Sequence, residues 1–143
     1  MAQQQWLIPI DESGSALLPL DWVINNLPAW RETPQIHLLN VQPNLSRDIG
    51  RFINADTLKE FHLESGMKAL APALTQLKAA GLIAESHVLV GETAPTITQF
   101  AEDNHCTQIL LGTRGHSGFK GTLLGSVAMK LVQLSKIPVL LVR

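Results

Sequence analysis

Short apolar runs alternate with longer stretches of near-helical apolar spacing along the chain. Trp6–Ile10 is apolar throughout and is closed by Asp-Glu-Ser-Gly, the pattern of a strand buried on both faces and followed by a polar turn. From Ser15 to Asn26, Leu17, Leu18, Trp22 and Val23 fall near helical spacing, with Pro19 tolerable only in the opening turn. Ile36–Val41 reads as a second strand, and the polar stretch 44–56 as an irregular connection. Thr57 to Ala80 predicts the longest helix. Leu58, Phe61, Met67, Leu70, Leu74 and Leu77 lie near one face, Gly81 stands at the C-terminal stop, and Pro72 is expected to kink it.

The second half continues the alternation. Ser86–Val90 reads as a third strand, and Pro95 opens a helix to about Asn104. Gln108–Leu111 is the fourth strand, followed by a glycine-rich loop. A helix over 125–134 and a terminal strand Ile137–Val142, with Pro138 at its start, complete the series. Nine alternating elements, five strands and four helices, predict an α/β fold in one domain over 1–143, a five-stranded parallel sheet covered by helices on both faces. Right-handed crossovers bring all strand carboxyl ends to one edge, where ligands of such sheets bind at the reversal of strand order.

Composition narrows the classes. Hydrophobic residues are 45% and charged residues 16%, so the chain is globular. A net charge of −1 gives no basis for nucleic acid or an anionic membrane surface as partner. The lone Cys106 excludes an internal disulfide framework and a multi-cysteine zinc site, and reads as a small apolar filler. No run reaches the roughly 18–20 apolar residues of a membrane span, and Met-Ala-Gln-Gln-Gln lacks a leader's basic segment. The expected location is the cytoplasm. His37, His62, His87 and His105 share no metal-ligand spacing and read as ordinary strand or surface histidines. Trp6, Trp22 and Trp30 are expected to pack, with Trp30 partly exposed.

The loop after the fourth strand carries the chemistry. Gly112, Gly115, Gly118, Gly121 and Gly125 are half of the chain's 10 glycines. Glycine allows positive φ and close backbone approach, so successive N–H groups can form an anion nest leading into a helix N-terminus. Thr113 and Ser126 add hydroxyls, while Arg114, His116 and Lys120 add cationic character. The same residues also suit plain tight turns, a helix cap at Ser126 and solvated loop cations. Neither a Walker A motif nor a dinucleotide fingerprint is present, nor is there a catalytic constellation.

Gly112-x2-Gly115-x9-Gly125-Ser126 resembles the ATP-binding signature of the universal stress proteins. Val127, the terminal Ile-Pro-Val-Leu-Leu-Val, Ile8-Pro9-Ile10-Asp11 and Leu38-Leu39-Asn40-Val41 resemble that family too. The resemblance implies a Rossmann-like sheet of order 3-2-1-4-5, with ATP as ligand at the switch point. It implies that Pro9 and Val41 line the adenine pocket, with Ile10 counted among the binding residues, and that Asp11 approaches the ribose or a phosphate-bound Mg2+. Gly112, Gly115, Gly125, Ser126 and Val127 would then hold the phosphates, with Leu111, Arg114 and His116 counted among the same binding residues. It further implies a homodimer through the strand 137–142, an unidentified protein partner, and a nucleotide-responsive module rather than a fast enzyme. Glu12 departs from the pattern, because a second carboxylate beside a triphosphate repels it unless it points to solvent or helps hold magnesium. A slow ATPase or phosphotransferase, and a partner-binding module without nucleotide, are the alternatives.

Overall fold

The computed structural model describes residues 2–113 and 124–143. Five strands form one parallel sheet: β1 Gln5–Pro9, β2 Gln35–Gln42, β3 Ala84–Val90, β4 Gln108–Gly112 and β5 Val139–Val142. Their order is β3-β2-β1-β4-β5, as the resemblance implies. The helices are α1 Leu18–Asn26, α2 Arg47–Gly50, α3 Ala55–Ala79, α4 Thr93–Asp103 and α5 Ser126–Leu134.

Strand alternation divides the core between the two faces. Trp6, Ile8, Ile36, Leu38 and Leu110 point to one side, against Leu20 and Val23 of α1 and Leu70, Ala73 and Leu77 of α3. Leu7, Leu39, Ile109 and Leu111 point to the other, against Ile97, Phe100 and Ala101 of α4 and Ala128 and Leu131 of α5. Trp6 is fully buried between the rings of Trp22 and Trp30, and Trp30 is 38% exposed, as expected.

Several boundaries and one helix face differ from expectation. The stretch Ser15–Asn26 begins as a 3-10 turn, Gly14–Leu17, before α1. The connection 44–56 is not wholly irregular: α2 forms a single turn, with the Ser46 side chain accepting from Ile49 N. Helix α4 begins at Thr93, two residues before Pro95, and β5 begins after Pro138.

In α3 the buried stripe runs through His62, Gly66, Ala69, Leu70, Ala73 and Leu77, while Phe61 is 50% and Met67 38% exposed. Small residues win this face because Gly66 lies against the Val88 side chain of β3, an approach a larger residue would block. The helix runs unbroken through Pro72, which lies on the exposed side, where water can satisfy the carbonyl that loses its donor. It ends at Gly81, whose φ of +76° permits the closing bonds Gly81 N to Lys78 O and Leu82 N to Leu77 O.

Candidate functional site

The sheet opens at the β1–β4 seam. Thr107 closes its lower end: its N–H donates to Gln5 O at 2.7 Å, and its hydroxyl bonds the same carbonyl at 3.0 Å. Register pairing continues through Trp6 opposite Gln108 and Leu7 opposite Ile109, and the strands then separate. Above this point lies a cavity of about 510 Å3, a volume typical of small-molecule sites.

Three strand ends and two helix starts build its walls. Pro9, Ile10 and Asp11 come from the end of β1, Leu39 and Val41 from β2, and Leu111, Gly112 and Thr113 from β4. Thr93 and Ile97 of α4 and Gly125 to Ala128 at the start of α5 complete it, with Ser13 and Ala16 at the turn after β1. Nine of the expected site residues are thus gathered around one space: Pro9, Ile10, Asp11, Val41, Leu111, Gly112, Gly125, Ser126 and Val127. The other three, Arg114, Gly115 and His116, lie outside the described residues, as do Gly118, Lys120 and Gly121.

Each wall has a local cause. The Asp11 carboxylate accepts from Ser13 N at 2.7 Å and from the Ser13 hydroxyl, which turns the chain sharply at the cavity mouth. Buried Asn40 donates to Ile10 O at 2.8 Å, and Ile10 N donates to Leu39 O at 2.8 Å, tying the end of β1 to β2. Asn40 Oδ1 in turn accepts from Gln42 Nε2 at 2.6 Å. Gly125 is extended (φ −60°, ψ 159°), and its carbonyl accepts from Met129 N to start α5. The first amides of a helix lack internal partners, so those of Ser126, Val127 and Ala128 bring positive potential to the lining. The start of α4 adds a second such end at Thr93. Lys130 of α5 pairs with Glu92, the residue before α4, at 3.2 Å, joining these two helix starts.

The lining thus combines apolar Leu39, Val41 and Ile97 with the amides that start α5 and the Asp11 carboxylate. Glu12 is exposed and does not line the cavity, which removes the repulsion expected of it. Ser13, Ala16, Leu39, Thr93, Ile97 and Ala128 were not foreseen as lining residues. Helices that follow strands of a parallel sheet start at the ligand edge, and that rule was the available signal for Thr93. Cys106 is buried, and desolvation pushes its thiol up to about 11, in keeping with an inert filler.

Residues 4–143 match the Universal stress protein family. The chain belongs to that family. It is 38% identical to Universal stress protein YxiE of Bacillus subtilis over 62% of this chain, a match spanning 60% of YxiE. It is 28% identical to Universal stress protein MJ0531 of Methanocaldococcus jannaschii over 96% of this chain and 80% of that protein. Solved structures of universal stress proteins share the fold. One in complex with cAMP has a TM-score of 0.72 at 25% identity, covering 100% of this chain and 99% of that one. The Archaeoglobus fulgidus protein in complex with dAMP has a TM-score of 0.70 at 19% identity, covering 100% of both chains. An Arabidopsis thaliana member with AMP bound has a TM-score of 0.69 at 15% identity, covering 97% of this chain and 90% of that one. Among the described residues, no helix is long and apolar enough to cross a membrane.

Proposed function

We propose that this universal stress protein binds an adenine nucleotide, ATP foremost, at the β1–β4 cavity and acts as a nucleotide-responsive module. The observation that carries the reading is the juxtaposition of Asp11 and the α5 amino terminus across one cavity with apolar walls. Val41, Leu39 and Pro9 suit a base, Asp11 suits a ribose hydroxyl, and the amides of residues 126–128 suit phosphate oxygens. Nucleotide complexes among the structural relatives support the same ligand class.

Asp11 is the single carboxylate among the described lining residues. That donor set suits Mg2+, which is commonly held by one or two carboxylates, phosphate oxygens and water. Asp11 would hold the ion, whose chemistry would be to neutralise phosphate charge. Bound nucleotide alters what the module presents to a partner only so far as it favours one conformation. A cytoplasmic location and pairing of two copies through edge strand β5 belong to the same reading; half-buried Val139, Leu140 and Leu141 on that edge support the pairing.

Calorimetric titration with ATP and with AMP, each with and without Mg2+, tests the proposal. The expected outcome is saturable binding that Asp11→Asn weakens by about tenfold, the worth of one charge-assisted hydrogen bond. Absence of binding to either nucleotide would sink it. Phosphate release measured on the same samples separates a binding module from a slow ATPase: turnover abolished by Asp11→Asn would favour the enzyme.

A further inference from the structure

A second constellation lies on the β2–β3 side of the sheet, and none of its residues lines the nucleotide cavity. Register places His37 opposite Glu85 and Leu39 opposite His87. Alternation therefore sends His37, Glu85 and His87 to one face, the face covered by α4. Their donor atoms converge. His37 Nδ1 lies 3.1 Å from His87 Nε2 and 3.5 Å from Glu85 Oε2, and His87 Nε2 lies 3.8 Å from that oxygen. Donors held about 2.0–2.1 Å from a tetrahedral zinc stand roughly 3.3 Å apart, so these spacings need only small adjustment.

The surroundings prepare the donors. His37 Nε2 lies 2.8 Å from Gln5 Oε1, an oxygen that can only accept, so Nε2 carries the proton and the Nδ1 lone pair faces the cluster. Phe100 of α4 packs against both imidazoles, edge-on to His37 at a centroid distance of 5.9 Å and tilted against His87 at 4.6 Å, and limits their rotation. Burial lowers the pKa of both rings, favouring the neutral form that metals require. Side-chain exposure rises from 6% at His37 through 26% at His87 to 59% at Glu85, giving an entry route from solvent.

We propose that His37, His87 and Glu85 form a site for a divalent transition cation of the zinc class, separate from the nucleotide cavity. Two imidazoles and one carboxylate select such ions over Mg2+ or Ca2+, which prefer oxygen. Three protein donors leave one position for water. In the metal-free protein His87 Nε2 donates to His37 Nδ1; on binding, that proton moves to His87 Nδ1 and Nε2 turns its lone pair to the metal. The bound ion joins edge strand β3 to β2.

The test is titration of the purified, chelator-treated chain with Zn2+ against a competing indicator, together with the visible absorption of its Co2+ form. One equivalent is expected, with a tetrahedral cobalt spectrum. His87→Gln and Glu85→Gln should each weaken binding at least tenfold, and Gln5→Ala by roughly 10–100-fold through loss of the orienting partner. His105→Asn, at an exposed turn, should change nothing. Circular dichroism confirms the fold of each variant; should His87→Gln unfold, the comparison rests on Glu85→Gln at its exposed edge position. No binding by the parent chain, or equal affinity in the folded ligand variants, would overturn the site.

Discussion

Two seams of the sheet, β2–β3 and β1–β4, are built differently. Strands β2 and β3 run in register over the full length of β3, from Ile36 opposite Ala84 to Gln42 opposite Val90. Strands β1 and β4 pair only at Trp6 and Leu7 before they part. The closed seam is overlaid by α3, which sets Gly66 against Val88. At the open seam helix ends replace helix flanks, and α4 and α5 bring their amino termini to the gap. A continuous ladder satisfies its own backbone groups and leaves no gap between its strands for a nucleotide. A seam that parts at the strand ends leaves a space walled by unpartnered helix amides, which a ligand can enter.

Substitutions can set these seams against each other. The largest effect is expected at the closed one. A methyl group at Gly66 would collide with both Cγ atoms of Val88, so Gly66→Ala should destabilise the fold by about 1–3 kcal/mol. Val88→Ala in the same chain should recover part of that loss in chemical denaturation. If Gly66→Ala unfolds at the parent midpoint, the close approach of α3 to β3 is wrong.

At the open seam the outcome should reverse. Among the described residues a Cβ on Gly125 meets nothing within 4 Å, and its φ of −60° suits any residue. Gly125→Ala should therefore leave stability within about 0.5 kcal/mol, yet weaken nucleotide binding severalfold because the methyl enters the cavity lining. Unchanged affinity would show that the ligand does not approach this backbone.

The smallest effect concerns the shut lower end of the β1–β4 seam, where Cys106 lies. Its buried thiol, pushed up to about 11, should react with alkylating reagents at pH 8 far more slowly than the unfolded chain does. The sign of the linkage is set by the raised value: the folded protein holds the proton more tightly than the unfolded chain. Stability should thus decline as pH rises past the unfolded thiol's range toward 11. Equal labelling rates in native buffer and denaturant would mean that this end also opens.

Much of the architecture was legible in local pattern. Apolar runs near Trp6, Leu38, Val88, Leu110 and Leu140 marked the five strands, and Gly81 marked a helix stop, because both signals act over a few residues. The glycine spacing and Asp11 pointed to the carboxyl edge for the same reason. Side-chain size misled where tertiary contact decides: Phe61 and Met67 looked like core, but Gly66 lets α3 approach β3 so closely that the small-residue stripe faces inward.

By itself, then, the sequence determined the alternation of elements, the placement of glycines before α5 and the family to which the chain belongs. Tertiary structure alone decided which distant residues meet. Asp11 shares a cavity with Gly125 because β1 and β4 are neighbours that separate. His37 and His87, 50 positions apart, touch because one strand register sets them side by side. The physical reason is that periodicity reports which way a side chain faces, whereas only strand order and register bring two faces together.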